Sequence, residues 1–259
     1  MPATQQAGDT ERWGTLWSTH AQDWAAIEEQ QLPTYDEAIR RVGIAPGQRV
    51  LEVGCGTGVF LRAAAACGAV VSGIDASDGL LELARARVPE ADLRRADMQH
   101  LPFADASFDL VAGFNAFFFA DDMVAALREA GRVAKAGAPV VIQVWGDPDQ
   151  CSLEAMKAAV FSGERNEVPP FWRPGALEDL VTAAGLRPGD AFDISWPYSF
   201  VDEASLVRGM RSAAPVAAAA QRAGDGSVER AIAQSLAPYR TPAGGYELPN
   251  AFHFLIASR

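Results

Sequence analysis

Three glycines at alternate positions, Gly54, Gly56 and Gly58, follow a short apolar run, Arg49 to Val53, and precede an alanine-rich segment. Glycine has no side chain, so the chain can turn tightly there and let a ligand approach the backbone closely. A helix that begins after such a turn presents free N–H groups to polar ligand atoms. The spacing therefore predicts a ligand-binding turn between a strand and a helix. A glycine-rich turn without a ligand is the alternative.

Acidic side chains after the next two predicted strands indicate which ligand this turn would bind. Asp75 ends the second strand, where a carboxylate can accept hydrogen bonds from both hydroxyls of a ribose. Asp97 and Met98 follow the third strand, and such a pair suits the polar edge and the apolar face of an adenine. These positions share the edge at which open α/β sheets bind ligands. A nicotinamide dehydrogenase is disfavoured, because Val59 stands where the dinucleotide fingerprint has its third glycine.

Strand-like and helix-like segments alternate along the first half of the chain. The predicted strands are residues 49–53, 69–75, 92–96, 108–114 and 139–144, with later candidates at 192–200 and 252–256. The predicted helices are a tryptophan-rich stretch from about 13 to 25, broken at Leu32-Pro33, and residues 35–42, 60–67, 79–88, 123–133, 152–161, 176–184 and 203–238. This alternation predicts an α/β protein with a doubly wound, mostly parallel sheet covered by helices on both faces.

The loss of this regularity after Trp145 suggests a division of the chain into three parts. They are N-terminal cap helices (1–42), a ligand-binding α/β core (43–146), and a C-terminal part (147–259) with core elements at about 176–200 and 250–259 and cap insertions at about 147–175 and 201–249. Long connections outside a minimal sheet are often functional, so we expect the insertions to form a cap over the ligand.

Composition excludes several classes of partner. Asp and Glu outnumber Lys and Arg by 33 to 22, a net charge of −11. Nucleic acids and anionic membrane surfaces bind basic faces, so we expect neither as a partner. No run approaches the roughly 18 apolar residues of a membrane span, and the polar start lacks the pattern of a secretory signal. The three cysteines form no CxxC pair. We therefore expect a cytoplasmic protein without a metal site.

Motifs beyond the glycine turn make the pattern specific. They are residues 52–58, 73–77, 97–98 with 101–103, 107–111 and 127–133. On these motifs the segment from about residue 35 to 145 resembles the class I S-adenosylmethionine-dependent methyltransferases, in particular the small-molecule branch grouped with the ubiquinone and menaquinone biosynthesis enzymes. The resemblance implies a Rossmann-like methyltransferase fold, with a seven-stranded mostly parallel sheet and a helical cap, and S-adenosylmethionine as the cofactor.

The resemblance also implies which residues contact the cofactor. Glu52 would face the methionine amino group, Asp75 the ribose hydroxyls and Asp97 the adenine amino group. The full set is Trp24, Glu52, Gly54, Gly56, Gly58, Asp75, Ala76, Leu80, Asp97, Met98 and Phe114. Phe118 and Phe119 depart from the family, many of whose members carry a histidine pair there. This departure predicts a more apolar pocket floor.

The activity that the resemblance implies is methyl transfer to a small, partly apolar or aromatic metabolite, at oxygen, nitrogen or carbon. Positioning alone can contribute roughly 7–11 kcal/mol in favourable cases. Proximity and orientation would therefore supply most of the rate enhancement, and a general base is optional. His20, in the helix expected to cover the cofactor, and His253, on the last predicted strand, are the candidate bases. For both, a structural role is the alternative that we favour.

Two other functions fit the same residues. A methyltransferase-fold cyclase or isomerase with a structural cofactor is compatible with Phe118, Phe119 and the lack of an evident base. A non-catalytic cofactor-binding partner would bind the cofactor without turnover. We expect a small-molecule substrate, and either a monomer or a homodimer. The sequence leaves the substrate and the acceptor atom open.

Overall fold

The computed structural model describes residues 6–161 and 170–259. Residues 162–169 of the expected 147–175 insertion, and residues 1–5 of the expected N-terminal cap, lie outside this part. The strands are β1 (Arg49–Val53), β2 (Val70–Asp75), β3 (Asp92–Arg95), β4 (Leu110–Phe114), β5 (Pro139–Trp145), β6 (Arg187–Ser195), β7 (Tyr198–Phe200), β8 (Tyr246–Leu248) and β9 (Ala251–Ser258).

Helices lie before, between and after these strands. They are α1 (Gln6–Thr19), α2 (Ala21–Glu29), α3 (Leu32–Val42), α4 (Val59–Ala66), α5 (Asp78–Arg87), α6 (Met123–Val133), α7 (Leu153–Val160), α8 (Ala176–Ala183), α9 (Glu203–Arg211), α10 (Ala214–Ala223) and α11 (Asp225–Leu236). None of the helices formed by the described residues is long and apolar enough to cross a membrane.

Seven strands form one sheet in the order β3-β2-β1-β4-β5-β9-β6. Neighbours from β3 to β5 are parallel, and β9 runs antiparallel to both β5 and β6. The predicted fold class, a doubly wound seven-stranded mostly parallel sheet, is confirmed. The strand order reverses between β1 and β4, and such a switch point opens a crevice at the carboxyl ends of the strands. β4 is buried along its whole length, as expected where helices cover both faces of a parallel sheet.

The predicted sixth strand, 192–200, is two strands in the structure. β6 pairs with β9, whereas β7 leaves this sheet and pairs with β8 in a separate two-stranded ribbon. Pro197 stands between them and has no N–H to donate to a ladder, so the pairing ends there. The last hydrogen bond between this segment and the β9 region is donated by the N–H of Trp196 to the carbonyl oxygen of Asn250, at 2.9 Å. The sequence analysis did not find β8.

The N-terminal helices differ from the prediction at Leu32-Pro33. We expected a break there and a helix from Tyr35, but α3 begins at Leu32 with Pro33 in its first turn. The first N–H groups of a helix have no partner within the helix, so proline does no harm at this position. The break lies at Gln30 and Gln31, between α2 and α3.

The long helical stretch predicted at 203–238 is three helices in the structure, α9, α10 and α11. Gly224, with a φ of 83°, ends α10, and Pro215 lies in its first turn. α10 packs against α1 through a cluster of small and apolar side chains: Leu16, Ala214, Ala217 and Ala218, with Trp13 and Trp17. Segments some 200 residues apart in sequence therefore meet beside the carboxyl edge of the sheet.

Candidate functional site

The turn between β1 and α4 has the conformation that its glycines predict. Gly54, Gly56 and Gly58 have φ angles of 72°, 51° and 80°, in the region that other residues rarely adopt. A Cβ atom at Gly54 would lie 2.5 Å from the Cβ of Ala116, so there is also no room for a side chain. The N–H of Gly54 donates to the carbonyl oxygen of Ile74 at 2.8 Å and fastens the turn to β2.

One cavity lies above this turn, at the carboxyl edge of the sheet. All the predicted cofactor residues except Gly58 line it: Trp24, Glu52, Gly54, Gly56, Asp75, Ala76, Leu80, Asp97, Met98 and Phe114. Gly58 precedes the first residue of α4, and its backbone faces Ala84, 3.2 Å from where a Cβ would stand. The fold thus brings together residues from four strand ends and a cap helix, as the resemblance implied.

Two of the predicted acidic residues are buried in this cavity without a basic partner. Glu52 is 2% exposed, and its Oε2 has no hydrogen-bond partner within the described part of the chain. Burial and the nearby carboxyl groups of Glu28 and Asp75 raise the pKa of Glu52 well above its usual range. Asp75 accepts hydrogen bonds from the N–H groups of Gly56 and Ser77, both at 2.9 Å. Burial raises the pKa of Asp75 as well.

A third buried carboxyl group, that of Glu28 on α2, was missed by the sequence analysis. Its Oε2 accepts from the N–H of Thr57 at 2.8 Å and its Oε1 from the N–H of Val59 at 3.4 Å. Burial raises the pKa of Glu28 to about 7, against the opposing effect of the hydrogen bonds from Thr57. The pair Glu28-Glu29 in a helix has the pattern of a solvated face, so no local signal marks Glu28 as a site residue.

The loop after β3 holds Asp97 and Met98 at the same cavity. The Oδ1 of Asp97 accepts from the N–H of Gln99 at 2.9 Å. The Oε1 of Gln99 accepts from the N–H of Asp122 at 3.0 Å, which ties the loop to the start of α6. His100, which follows, has an 80% exposed side chain.

Aromatic side chains from α1 and from the segment after β4 close one side of the cavity. Trp13 and Trp17 contact Phe119 edge to face, with ring centroids 5.4 and 5.7 Å apart. Trp24 contacts Trp17 in the same way at 4.7 Å. Phe118 and Phe119 both line the cavity, so the positions of the family's histidine pair carry apolar rings here.

α1 packs directly on the loop that follows β2. A Cβ atom at Gly14 would lie 2.2 Å from the carbonyl oxygen of Ala76, so the two backbones are in contact. The hydroxyl groups of Ser18 and Ser77 are 2.8 Å apart, and the N–H of Gly79 donates to Ser18 Oγ at 3.2 Å. The N-terminal helix therefore covers the end of the cavity that holds Asp75 and Ala76.

The cavity also contains residues that were not assigned from the sequence. Asn115 follows β4 with a φ of 50°, and neither its Oδ1 nor its Nδ2 has a partner among the described residues. Tyr198 is 1% exposed, and its hydroxyl group likewise has no partner there. We call the following lining residues, from elements outside the seven-stranded sheet, the cap-side wall: Leu153, Met156, Tyr198 and Met210.

The structure brings neither candidate base to the cavity. His20 lies at the junction of α1 and α2, partly exposed, and is not a lining residue. His253 is 8% exposed on β9, with its Nδ1 2.7 Å from Asp193 Oδ1 on β6, and it also lies away from the cavity. Their catalytic roles stay predictions. Within residues 6–161 and 170–259, no three His, Cys, Asp or Glu side chains are grouped as metal ligands.

Comparison with known proteins agrees with this geometry. Residues 51–142 match a family described as methyltransferase domain. The demethylmenaquinone methyltransferase of Renibacterium salmoninarum is 38% identical over 107 residues, which are 41% of this chain and 45% of the relative. The 27-O-demethylrifamycin SV methyltransferase of Amycolatopsis mediterranei is 30% identical over 185 residues, 66% of this chain and 65% of the relative. The chain spans about half the length of the first curated relatives that it matches.

Solved structures show the same fold at low sequence identity. Phosphoethanolamine N-methyltransferase 2 of Haemonchus contortus, in complex with phosphomonomethylethanolamine and S-adenosylhomocysteine, superposes with a TM-score of 0.57 and 18% identity, over 88% of this chain and 52% of that one. The cyclase SpnF superposes with a TM-score of 0.56 and 21% identity, over 88% and 80% of the two chains. The predicted resemblance is thus confirmed: residues 51–142 match the methyltransferase domain, and the fold is the Rossmann-like fold of the solved S-adenosylmethionine-dependent methyltransferases.

Proposed function

We propose that this chain binds S-adenosylmethionine in the cavity and transfers its methyl group to a small, partly apolar or aromatic metabolite. The observation that carries the proposal is the buried Oε2 of Glu52, which has no partner among the described residues. Glu28, Glu52 and Asp75 all line the same cavity. Buried carboxylates are destabilised unless a positive charge or donors stabilise them. S-adenosylmethionine carries an ammonium and a sulfonium group, so its charge is complementary to this cavity.

The residues present fit the rest of this cofactor as well. Asp75 would accept from the ribose hydroxyls, Asp97 would accept from the adenine amino group, and Met98 and Leu80 would pack against the ring. Glu52 would accept from the ammonium group. When bound, the cofactor supplies a methyl group that the sulfonium makes electrophilic. The named methyltransferase relatives support this assignment, as does the neighbour that holds S-adenosylhomocysteine.

The contribution of the chain itself is to orient an acceptor and to exclude water. Trp13, Trp17 and Phe119 cover the cavity with apolar surface. Tyr198 in the cap-side wall and Asn115 after β4 have side-chain polar groups without a partner among the described residues, so they are available to hold an acceptor. Correct orientation of two reactants supplies much of the rate enhancement of such a transfer. A base role for His20 or His253 would require a movement that brings the ring to the cavity.

Calorimetric titration with S-adenosylmethionine tests the proposal. We expect wild type to bind, and Asp75→Asn to bind about tenfold more weakly, because it loses a charged hydrogen-bond acceptor. Asp78→Asn is the matched control, since that side chain is 68% exposed and lies outside the cavity. An acceptor screen scored by S-adenosylhomocysteine then measures turnover. A folded wild type that gives no heat at several temperatures, or equal weakening in both variants, contradicts the cofactor assignment.

A second candidate is a cyclase or isomerase in which the cofactor is structural. Phe118 and Phe119 replace the family's histidine pair, and no histidine of the described residues lines the cavity. The structural likeness to the [4+2]-cyclase SpnF shows that the fold occurs in a cyclase. Substrate conversion without stoichiometric S-adenosylhomocysteine would identify this activity. A non-catalytic cofactor-binding partner would bind the cofactor and convert nothing.

A further inference from the structure

The glycine turn already binds a carboxylate of the chain itself. Glu28 Oε2 accepts from the N–H of Thr57 at 2.8 Å, and Oε1 accepts from that of Val59, the first residue of α4, at 3.4 Å. A Cβ atom at Gly56 would lie 2.6 Å from Glu28 Oε2. Glycine at this position therefore makes room for the Glu28 carboxylate, in addition to any ligand above the turn.

Neighbouring contacts determine where Glu28 lies. Glu29 pairs with Arg62 and, at 3.4 Å, with Arg87. Arg87 Nη1 also donates to the carbonyl oxygen of Thr57 at 2.6 Å. Ile27, on the other side, is 2% exposed in the main core. Glu28 is thus held between Glu29, which Arg87 connects to the glycine turn, and the buried Ile27 in the core.

The N–H groups that Glu28 occupies are those that bind phosphate in other proteins of this architecture. A helix that starts after a glycine-rich turn presents free N–H groups and the positive end of its dipole, and both favour phosphate. Here a phosphate would have to displace the carboxylate of Glu28. It would also stand in a cavity lined by Glu52 and Asp75, whose carboxyl groups repel it when they are ionised. A cationic ligand is attracted by the same carboxyl groups and does not need the N–H groups that Glu28 occupies.

We propose that Glu28 is a specificity-determining residue of the cofactor site, which selects a cationic adenosine derivative over adenosine phosphates. It does so by filling the N–H groups of the glycine turn and by adding a negative charge beside Glu52. The inference rests on the proposed function, since it takes S-adenosylmethionine as the cation. It assigns to Glu28 a part that the family resemblance gave to no residue.

The test compares three ligands on the intact protein by calorimetry at pH 8, where the Glu28 carboxyl group is ionised. The ligands are S-adenosylmethionine, adenosine diphosphate and uncharged adenosine. Glu28→Gln keeps the shape and one acceptor oxygen but removes the charge. Asp23→Asn, on the same helix and outside the cavity, is the matched control. We expect the ratio of affinities for S-adenosylmethionine and adenosine diphosphate to fall about tenfold or more in Glu28→Gln, with the adenosine affinity unchanged.

Each other outcome is decisive. If wild type binds S-adenosylmethionine and the ratio stays the same in Glu28→Gln, or falls equally in Asp23→Asn, the specificity role is wrong while the cofactor assignment stands. A parallel loss of all three ligands in a folded Glu28→Gln also overturns it, because it reveals a purely structural role. Glu28→Asp keeps the charge and is expected to keep adenosine diphosphate excluded; if it binds that ligand tightly, the role is wrong. A wild type that binds none of them overturns the proposed function as well.

Discussion

The sheet side and the cap side of the cavity are built from different kinds of sequence. On the sheet side, the residues follow directly on strand ends: the turn after β1, Asp75 at the end of β2, and Asp97 shortly after β3. On the cap side, Met156, Tyr198 and Met210 come from a helix, a two-stranded ribbon and another helix, none of which belongs to the seven-stranded sheet. Parallel strands all end at the same edge of a sheet, so residues that follow them lie close together. The residues of a cap come together only when separate helices and strands pack against one another. The comparison therefore separates a site encoded locally from one encoded by long-range contacts.

Gly56→Ala should have the largest effect on cofactor binding and stability, because the added Cβ atom has no room in the glycine turn on the sheet side of the cavity. The new Cβ would lie 2.6 Å from Glu28 Oε2, at a φ of 51°. Positive φ alone costs about 1–3 kcal/mol, and displacement of Glu28 adds to it. We expect loss of measurable cofactor binding and a lower melting temperature by scanning calorimetry.

Gly137→Ala is the matched control for this substitution. Its φ is 75°, but no atom lies within 4 Å of the added Cβ. It should cost only the backbone strain and leave cofactor affinity unchanged. Equal losses in the two variants would show that crowding by Glu28 is unimportant.

The pH dependence of stability tests whether Glu28 couples the cap to the turn. Its pKa is about 7 in the folded protein against an ordinary value of 4.5, mainly because of burial, with Arg87 and the hydrogen bonds from the turn opposing. The folded state thus holds a proton that the unfolded state has lost between these values. The contribution of Glu28 to the free energy of unfolding is therefore fully present below about pH 4.5 and is lost as the pH rises through 7.

Urea unfolding of wild type and Glu28→Gln at pH 5 and pH 8 measures this contribution. We expect wild type to lose on the order of 1–3 kcal/mol more than the variant between the two pH values. Asp75, whose pKa is also raised, affects both proteins and cancels in the difference. The pKa of Glu52 is raised partly by Glu28, so its part of the pH dependence shrinks in the variant and adds to the difference. Identical pH dependence in the two proteins would mean that Glu28 is not buried as the structure has it.

Tyr198→Phe tests the cap side. The hydroxyl group has no partner among the described residues, and burial raises its pKa above the usual range, so it keeps its proton and can donate to an acceptor. We expect a KM for the acceptor about two- to tenfold higher, with cofactor affinity unchanged and unliganded stability equal or greater. Tyr239→Phe, outside the cavity, is the control. A weaker affinity for S-adenosylmethionine in Tyr198→Phe would show that Tyr198 also binds the cofactor, so that the cap side and the sheet side do not have separate ligands.

The histidine variants should give the smallest effects on activity. His20 and His253 lie away from the cavity, so His20→Ala and His253→Gln are expected to change kcat less than about twofold. His253→Gln should still lose some stability, because the contact of its Nδ1 with Asp193 at 2.7 Å is altered. A fall in kcat of about 100-fold in either variant, measured by S-adenosylhomocysteine release, would restore the base role.

Sequence patterns predicted the core elements closely. β1 and α6 have the predicted bounds, 49–53 and 123–133, because each is a short periodic run between clear turn signals. The divergences lie where proline or long-range pairing decided the outcome. Pro33 starts a helix, Pro197 separates β6 from β7, and β8 exists because it pairs with β7. Strands of three residues carry almost no local signal, so β7 and β8 depended on tertiary contacts.

The sequence by itself determined the glycine turn, the strand and helix that flank it and the acidic residues at the strand ends. Glycine spacing, apolar periodicity and turn residues act within a few residues of each other, so they can be interpreted without a fold. Only the tertiary structure decided that Glu28 accepts hydrogen bonds from the N–H groups of the turn and that α1 and α10 meet beside the cavity. It also decided that Asn115 and Tyr198 face the cavity with side-chain polar atoms that no described residue binds. These are contacts between side chains distant in sequence, and their energy depends on burial and geometry that no local pattern contains.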